Sequence, residues 1–358
     1  MATAGYKTTL PAHHAVFGRF RPWEGKVPEG FVVNFLGVMR RIHFWQPDVE
    51  NPPVYPADRY VKMEYPPFDS LYLELIAVLE AVVASEEHFT MLELGAGYGY
   101  WTAIAAAALR QTKNLPYTFM PVEADPTHFQ WMREHFRDNG IDAQSVHARQ
   151  AAVTATDGKV GFHAGNKTAG MDLLDQAIGG SHMVEAVSLA TLLKPLKSVD
   201  LLHVDVQGAE LDVLRAGAQE LDEKVKRVCV GTHSRQIEEG LRSLFRSLGW
   251  KAMRDIPCFS TTETEWGVMA FNDGVQSWVN PSCAERETDK VEVLRDKLQA
   301  SRQEAARLWS ELEKSQETSL NSGSLGWKLL RWARHLREVL APGGSRRRKL
   351  LESLSGKI

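Results

Sequence analysis

One junction constrains the fold of this chain more than any other. Met91-Leu92-Glu93-Leu94 is a short apolar run, it stops at Gly95-Ala96-Gly97-Tyr98-Gly99, and an alanine-rich stretch from Trp101 to Arg110 follows. A short apolar run bounded by glycines reads as a buried strand, and the alanine-rich stretch reads as a helix. Glycine lets the backbone turn sharply and lets a ligand approach without meeting a Cβ atom. A strand that turns straight into a helix is the opening half of a βαβ unit, and such units build a parallel sheet.

The same alternation continues downstream. Tyr117 to Val122 reads as a second strand and ends at Glu123; Asp125-Pro126 then opens a helix to about Asp138, with proline in its first turn. Further strands are expected at Gln144–Ala148, Val160–His163, Val199–Val204 and Arg227–Gly231, with Trp266–Phe271 closing the sheet. Helices are expected at Glu210–Ala216 and Ile237–Leu248. The pattern predicts an α/β, Rossmann-like fold: a mostly parallel seven-stranded sheet with helices on both faces, spanning residues 63–274. Residues 1–62 carry Pro22, Pro28, Pro47, Pro52, Pro53 and Pro56, too many for long regular elements, and are expected to form an N-terminal extension that lids the domain.

Ligands of open parallel sheets bind at the carboxyl ends of the strands. A dinucleotide loop needs Gly-x-Gly-x-x-Gly so that a helix N-terminus meets the pyrophosphate. Here the third glycine comes one position early, at Gly99, and Tyr100 stands where that loop wants glycine. Glu93 would also repel a pyrophosphate, but would attract the cationic amino acid end of S-adenosylmethionine. Glu123 is placed to accept hydrogen bonds from both ribose hydroxyls. The expected cofactor site is therefore Glu93, Gly95, Ala96, Gly97, Gly99, Glu123 and Ala124, with S-adenosylmethionine as cofactor. An NAD-type oxidoreductase is disfavoured by the same loop spacing.

A second block, His203-Val204-Asp205-Val206-Gln207-Gly208-Ala209-Glu210, continues into Leu211-Asp212-Val213-Leu214-Arg215-Ala216, and the next strand ends Val230-Gly231-Thr232-His233. Together with the glycine loop, these residues resemble the FkbM-type methyltransferase family over roughly residues 64 to 272. Two places differ from the family's usual pattern: Gly231-Thr232 stands where glutamate often precedes the histidine, and Leu189-Ala190-Thr191 where Leu-Asp-Asp is common. The resemblance implies an O-methyltransferase acting on a hydroxyl of a sugar or glycan or of a related metabolite. Such a reaction needs an aligned acceptor and a group to take its proton. His233 and Asp205, both at carboxyl ends of expected strands, are the candidate catalytic residues. Asp205 and Glu210 could also hold a divalent metal, although no metal is assigned, because Glu210 equally suits the N-terminus of the helix it opens. His203 is expected to be a hydrogen-bonded core histidine.

The C-terminal residues differ in texture. Val291, Leu294, Leu298, Ala305, Leu308 and Leu312 share a heptad seam within a charged segment, residues 285–318, interrupted by Ser301 and Ser315. This reads either as a short coiled coil able to form a homo-oligomer or as a single amphipathic helix. In the basic tail, 323–358, Leu325, Leu329, Trp332, Leu336 and Leu340 share a face interleaved with Lys328, Arg331, Arg334 and Arg337. Residues 325–349 would contact a membrane surface or a protein partner, or pack back on the chain. From Gly323 onward the tail resembles those of bacterial cell-surface glycan enzymes. The alternative function is accordingly a non-catalytic, methyltransferase-like scaffold in a cell-surface glycan assembly complex.

A net charge of −3 gives no reason to expect nucleic acid as a partner. The three cysteines, Cys229, Cys258 and Cys283, show no metal-ligand or disulfide spacing. With no signal peptide or membrane-spanning run, the expected location is cytoplasmic, with the tail at the inner membrane surface as a variant.

Overall fold

The computed structural model describes residues 11–44, 59–162 and 182–283, together with Gln303, Glu304 and Arg307. A boundary between compact units falls between Cys283 and Ala284. The coiled-coil expectation for 285–318 and the basic-tail expectation for 323–358 fall outside the described residues, apart from those three positions.

Residues 11–44 and 59–62 contribute short elements only. After a 3-10 turn at Ala15–Arg19 come β1 (Glu24–Val27), β2 (Phe31–Val33), β3 (Met39–Arg41) and β4 (Arg59–Lys62). β1 pairs antiparallel with β4, and β2 with β3. Helix α1 (Tyr72–Ala84) then leads into the alternating core: β5 (Phe89–Leu94), α2 (Tyr100–Gln111), β6 (Tyr117–Glu123), α3 (Pro126–Asp138) and β7 (Arg149–Gln150). Three short strands, β8 (Ala152–Thr154), β9 (Gly158–Phe162) and β10 (His182–Ser188), form a separate small sheet with β10 in the middle. The second half runs α4 (Leu189–Leu193), β11 (Leu201–Val204), α5 (Glu210–Ala216), α6 (Ala218–Lys224), β12 (Arg227–Thr232), α7 (Arg235–Ser247), β13 (Lys251–Ile256), β14 (Ser260–Thr264), β15 (Gly267–Phe271) and β16 (Gly274–Val279).

The central sheet has seven strands in the order β13-β16-β12-β11-β5-β6-β7. β16 alone runs against the others, antiparallel to both β12 and β13. The architecture is the expected Rossmann-like one. Side chains alternate along each central strand. Met91, Leu201 and Cys229 face the layer of α1 and α2, whereas Leu92, Leu202 and Val228 face the layer of α4 to α7. Glu93 is the register partner of His203 and shares the parity of Met91, so both polar side chains fall on the α1–α2 side.

Two expected strands are corrected. Gln144–Ala148 reaches the sheet only at Val146, which bridges Phe119 in parallel: Ala143–Ser145 is a 3-10 turn capped by Asp142, which accepts from the Gln144 N–H, and the sheet edge is the two-residue β7. Trp266–Phe271 does not close the sheet: it pairs with β14 as a hairpin. Its apolar alternation reflects one face, Met269 and Phe271 with neighbouring Trp266, packed on the cluster that contains Tyr72. β16 enters the sheet instead, beyond the expected boundary at 274. Its Gln276 and Ser277 look unsuited to a buried strand, yet Gln276 donates to the Glu238 carbonyl and accepts from Trp278 Nε1. Satisfied in this way, a polar side chain can be buried at little cost.

The N-terminal extension is fastened to the core. Phe17 is fully buried and stacks on Tyr72 at 5.0 Å between centroids. Burying a side chain of that size is worth about 2 kcal/mol. Asn139 donates to the Met39 carbonyl and accepts from the Met39 N–H, and Arg41 grips Asp138 through two bonds of 2.6 and 3.0 Å. Among the described residues, no helix is long and apolar enough to cross a membrane.

Candidate active site

The glycine loop takes the backbone through three left-handed residues, Gly95, Gly97 and Gly99. At Gly95 the reason is contact: a Cβ there would stand 1.8 Å from the Asp205 carbonyl oxygen. At Gly97 it is φ +54° with nothing within 4 Å, so the backbone lies bare against open space. The loop is held from beneath by Val122, whose carbonyl accepts from the N–H groups of Gly95 and Ala96.

Glu93 and Glu123 divide the loop's polar groups between them. Glu93 is 1% exposed and serves the start of α2: one oxygen accepts from the Trp101 N–H, the other from the Thr102 N–H and hydroxyl. Those bonds compensate an acid at a helix N-terminus. Glu93 therefore braces the loop from behind while also lining the cavity. Glu123 accepts from the Gly97 N–H at 2.6 Å and from the Asp125 N–H at 2.7 Å, one through each oxygen. Burial pushes its carboxyl up to about 7. Each oxygen keeps lone-pair capacity for a further donor.

A cavity of about 400 Å³ opens over these residues and reaches Asp205 and Asp273. Beside Asp205 and Asp273, and behind the cavity lining, stands His233. Its Nδ1 lies 2.7 Å from Glu210 Oε1, which also accepts from the Gly208 N–H. Its Nε2 faces Asp205 Oδ1 at 3.4 Å and Asp273 Oδ1 at 3.8 Å. Both His233 Nε2 and Glu210 Oε2 are buried atoms with no hydrogen-bond partner. Burial disfavours the imidazolium, but the Glu210 hydrogen bond and the Asp205 charge outweigh it and raise His233 to about 9. Burial raises the Asp205 carboxyl, with the charge of His233 pulling the other way. The structure thus brings His233, Asp205 and Glu210 together, and Glu210 both opens α5 and orients the histidine.

His203 is a satisfied core residue on one side only. Its Nε2 pairs with Glu74 Oε2 at 2.8 Å, while Nδ1 has no partner and the ring packs against Trp101 at 5.2 Å. Cys229 approaches this pair closely enough for three donor atoms to lie within 4.8 Å of one another. Burial pushes its thiol well above the ordinary range, so it remains a neutral thiol and a poor ligand there.

Three cavity residues escape a reading by local motif. Glu74 projects from α1, Asp273 precedes the reversed strand β16, and Arg40 arrives on β3 of the extension. Arg40 donates to the Tyr98 hydroxyl and lies over the Tyr98 ring at 5.5 Å. Asp273 had a usable signal in Asn272-Asp273-Gly274. A residue that begins an antiparallel strand falls at the same edge as residues that end the parallel ones.

The chain carries a match to the Methyltransferase FkbM domain over residues 93–249. It is an S-adenosylmethionine-dependent methyltransferase, and the matched span includes both acids of the loop, Asp205, Glu210 and His233. A protein of Jannaschia sp. (strain CCS1) named "Putative methyltransferase" is 27% identical to this methyltransferase over 272 residues, 71% of this chain and 93% of that one. Among solved structures it is similar to the FkbM methyltransferase of Methylobacillus flagellatus KT, with 11% identity, TM-score 0.37, and coverage of 55% of this chain and 45% of the other. It is also similar to an O-methyltransferase of Streptomyces achromogenes in complex with SAM, with 13% identity, TM-score 0.34, and coverage of 58% and 79%.

Proposed function

We propose that this enzyme is an O-methyltransferase whose acceptor is a hydroxyl of a sugar, glycan or related metabolite. The observation that carries the reading is the Glu210–His233 pair behind the cavity-lining Asp205: an imidazole oriented through Nδ1, with Nε2 left without a hydrogen bond and facing that carboxylate. A charged acceptor nucleophile would need no such group. A hydroxyl must lose its proton as its oxygen is methylated.

The donor fits the loop end of the same cavity. Gly95, Ala96, Gly97 and Gly99 supply the bare backbone, Glu93 braces them, Glu123 takes the ribose hydroxyls, and Ala124 borders the adenine side. When bound, the sulfonium supplies an electrophilic methyl: its S–CH3 bond breaks as the O–CH3 bond forms, a neutral thioether leaves, and one proton remains for the protein. Asp205 and His233 stand where that proton arrives. Arg40 and the extension close the cavity wall in the manner of a lid, which supports the reading of residues 1–62 as more than packing.

The test is calorimetric titration with S-adenosylhomocysteine, with NAD as the control, followed by a screen of sugar nucleotides, glycan fragments, amines and carboxylates for thioether release. Turnover confined to amines or carboxylates would refute the hydroxyl assignment.

A further inference from the structure

The arrangement around His233 has a feature that a general base alone leaves unexplained. Asp205 Oδ1 and Asp273 Oδ1 face Nε2 at 3.4 and 3.8 Å. Those separations are long for charge-assisted hydrogen bonds, which run at about 2.7–2.9 Å. They suit donors sharing one ion. Two ligands at about 2.1 Å from one octahedral cation stand about 3.0 Å apart when cis and about 4.2 Å apart when trans, and both separations at Nε2 fall between those limits.

The surroundings follow the pattern of a metal-binding histidine. Such a histidine passes its other ring nitrogen to a carboxylate, which fixes the tautomer and the ring plane. Here Glu210 does so from Nδ1, at 2.7 Å, and is itself held by the Gly208 N–H at 2.9 Å. Glu210 is fully buried, and its second oxygen, Oε2, has no partner. Asp205 is steadied by Gln207, whose Nε2 donates to Oδ1 at 3.0 Å. Donor atoms of Asp205, Glu210 and His233 all lie within 4.8 Å of one another. Three acids around one imidazole leave excess negative charge even when the imidazole is protonated, and a divalent cation would neutralise it.

We propose that His233 Nε2, Asp205 and Asp273 form a divalent-cation site, with Glu210 as the partner that orients His233. Oxygen and imidazole donors with open positions toward the cavity suit Mg²⁺ or Mn²⁺. The inference rests on the hydroxyl-acceptor reading for its purpose: a cation there binds the acceptor oxygen and lowers its proton affinity, and the proton passes to the free oxygen of Asp205. Its geometry stands without that reading.

The experiment uses the untagged full-length chain, stripped with chelator and titrated with Mn²⁺ alone, with the free aquo ion followed by electron paramagnetic resonance. One saturable Mn²⁺ per chain is expected, weakened tenfold or more in Asp273→Asn and in His233→Gln. Asp273 is 61% exposed, so its substitution leaves the fold intact. S-adenosylhomocysteine titration of the same variants checks the folded state and tests the donor site separately. No saturable Mn²⁺ binding, or binding unchanged in both variants, overturns the proposal. Mn²⁺ binding without S-adenosylhomocysteine binding upholds it and removes the donor assignment instead.

Discussion

Glu123 and Gly97 are joined by a 2.6 Å hydrogen bond from the glycine N–H to one carboxylate oxygen, across 26 positions of sequence. The acid that closes β6 therefore sets the height of the loop that follows β5. Glu123→Ala removes this tie and, on the proposed donor reading, the contacts to both ribose hydroxyls. We expect S-adenosylhomocysteine affinity to fall at least thirtyfold, about 2 kcal/mol, because hydrogen bonds to a charged group are worth about 1.5–3 kcal/mol each. Calorimetry on the folded variant reads this directly, and an affinity within threefold of wild type would remove Glu123 from the donor site.

Donor binding should release protons. Burial raises Glu123 to about 7 in the free protein, so a good part of the population is protonated near pH 6.5. Two hydroxyl donors favour the carboxylate and pull its titration down. Affinity for S-adenosylhomocysteine should thus rise with pH through about 7. Calorimetry in buffers of contrasting ionisation enthalpy should show up to one proton released per site, and none in Glu123→Gln.

Acid should loosen the same loop from its other side. His135 is completely buried, its Nδ1 is 3.0 Å from the Tyr98 carbonyl, and burial lowers it from 6.5 to about 4. Between those values the unfolded chain takes a proton that the folded chain refuses. Stability is therefore full above about pH 6.5 and is lost as pH falls towards 4, by up to about 3 kcal/mol. Thermal melts from pH 7 to 4 should show this slope, and His135→Gln should flatten it.

Gly95 and Gly97 should respond differently to alanine. At Gly95 the new methyl meets the Asp205 carbonyl, so loop and β11 must separate. A loss of several kelvin in Tm and of measurable donor binding is expected. At Gly97 the space is open, and left-handed strain alone costs about 1 kcal/mol. That variant should fold well and bind weakly, because the methyl projects into the open space proposed for the donor.

His233→Ala should leave S-adenosylhomocysteine binding within threefold of wild type and lower turnover by at least a hundredfold, whether the imidazole acts as a positioned acid–base group or as a cation ligand. Single-turnover measurement separates the two quantities, and an unchanged rate would take His233 out of the chemistry.

The loop, Glu123 and the His233–Glu210 block are legible in sequence because each sits at the end of an apolar strand, where period and punctuation coincide. Glu74 meets His203 across 129 positions, and no local pattern announces such a pairing. Asp273 was hidden because β16 is buried on both faces yet carries Gln276, whose cost is covered by internal hydrogen bonds, and Ser277, whose hydroxyl is buried without a partner. The β14–β15 hairpin misled for the converse reason: one packed face gives it the alternation of a sheet strand. The direction of Glu93 could not be read either, since its position beside the loop is the same whether its carboxylate serves a ligand or α2.

The packing of the extension bears on how the chain is made. Phe17, Phe20, Phe35, Leu36 and Val38 leave the ribosome before Tyr72, Ile76 and Ile104, the residues they join in one apolar cluster. Until α1 and α2 have emerged, the nascent chain carries this aromatic surface with nothing of its own to cover it. Synthesis thus has an interval, closing only after about residue 110, in which the first segment depends on chaperones or on speed.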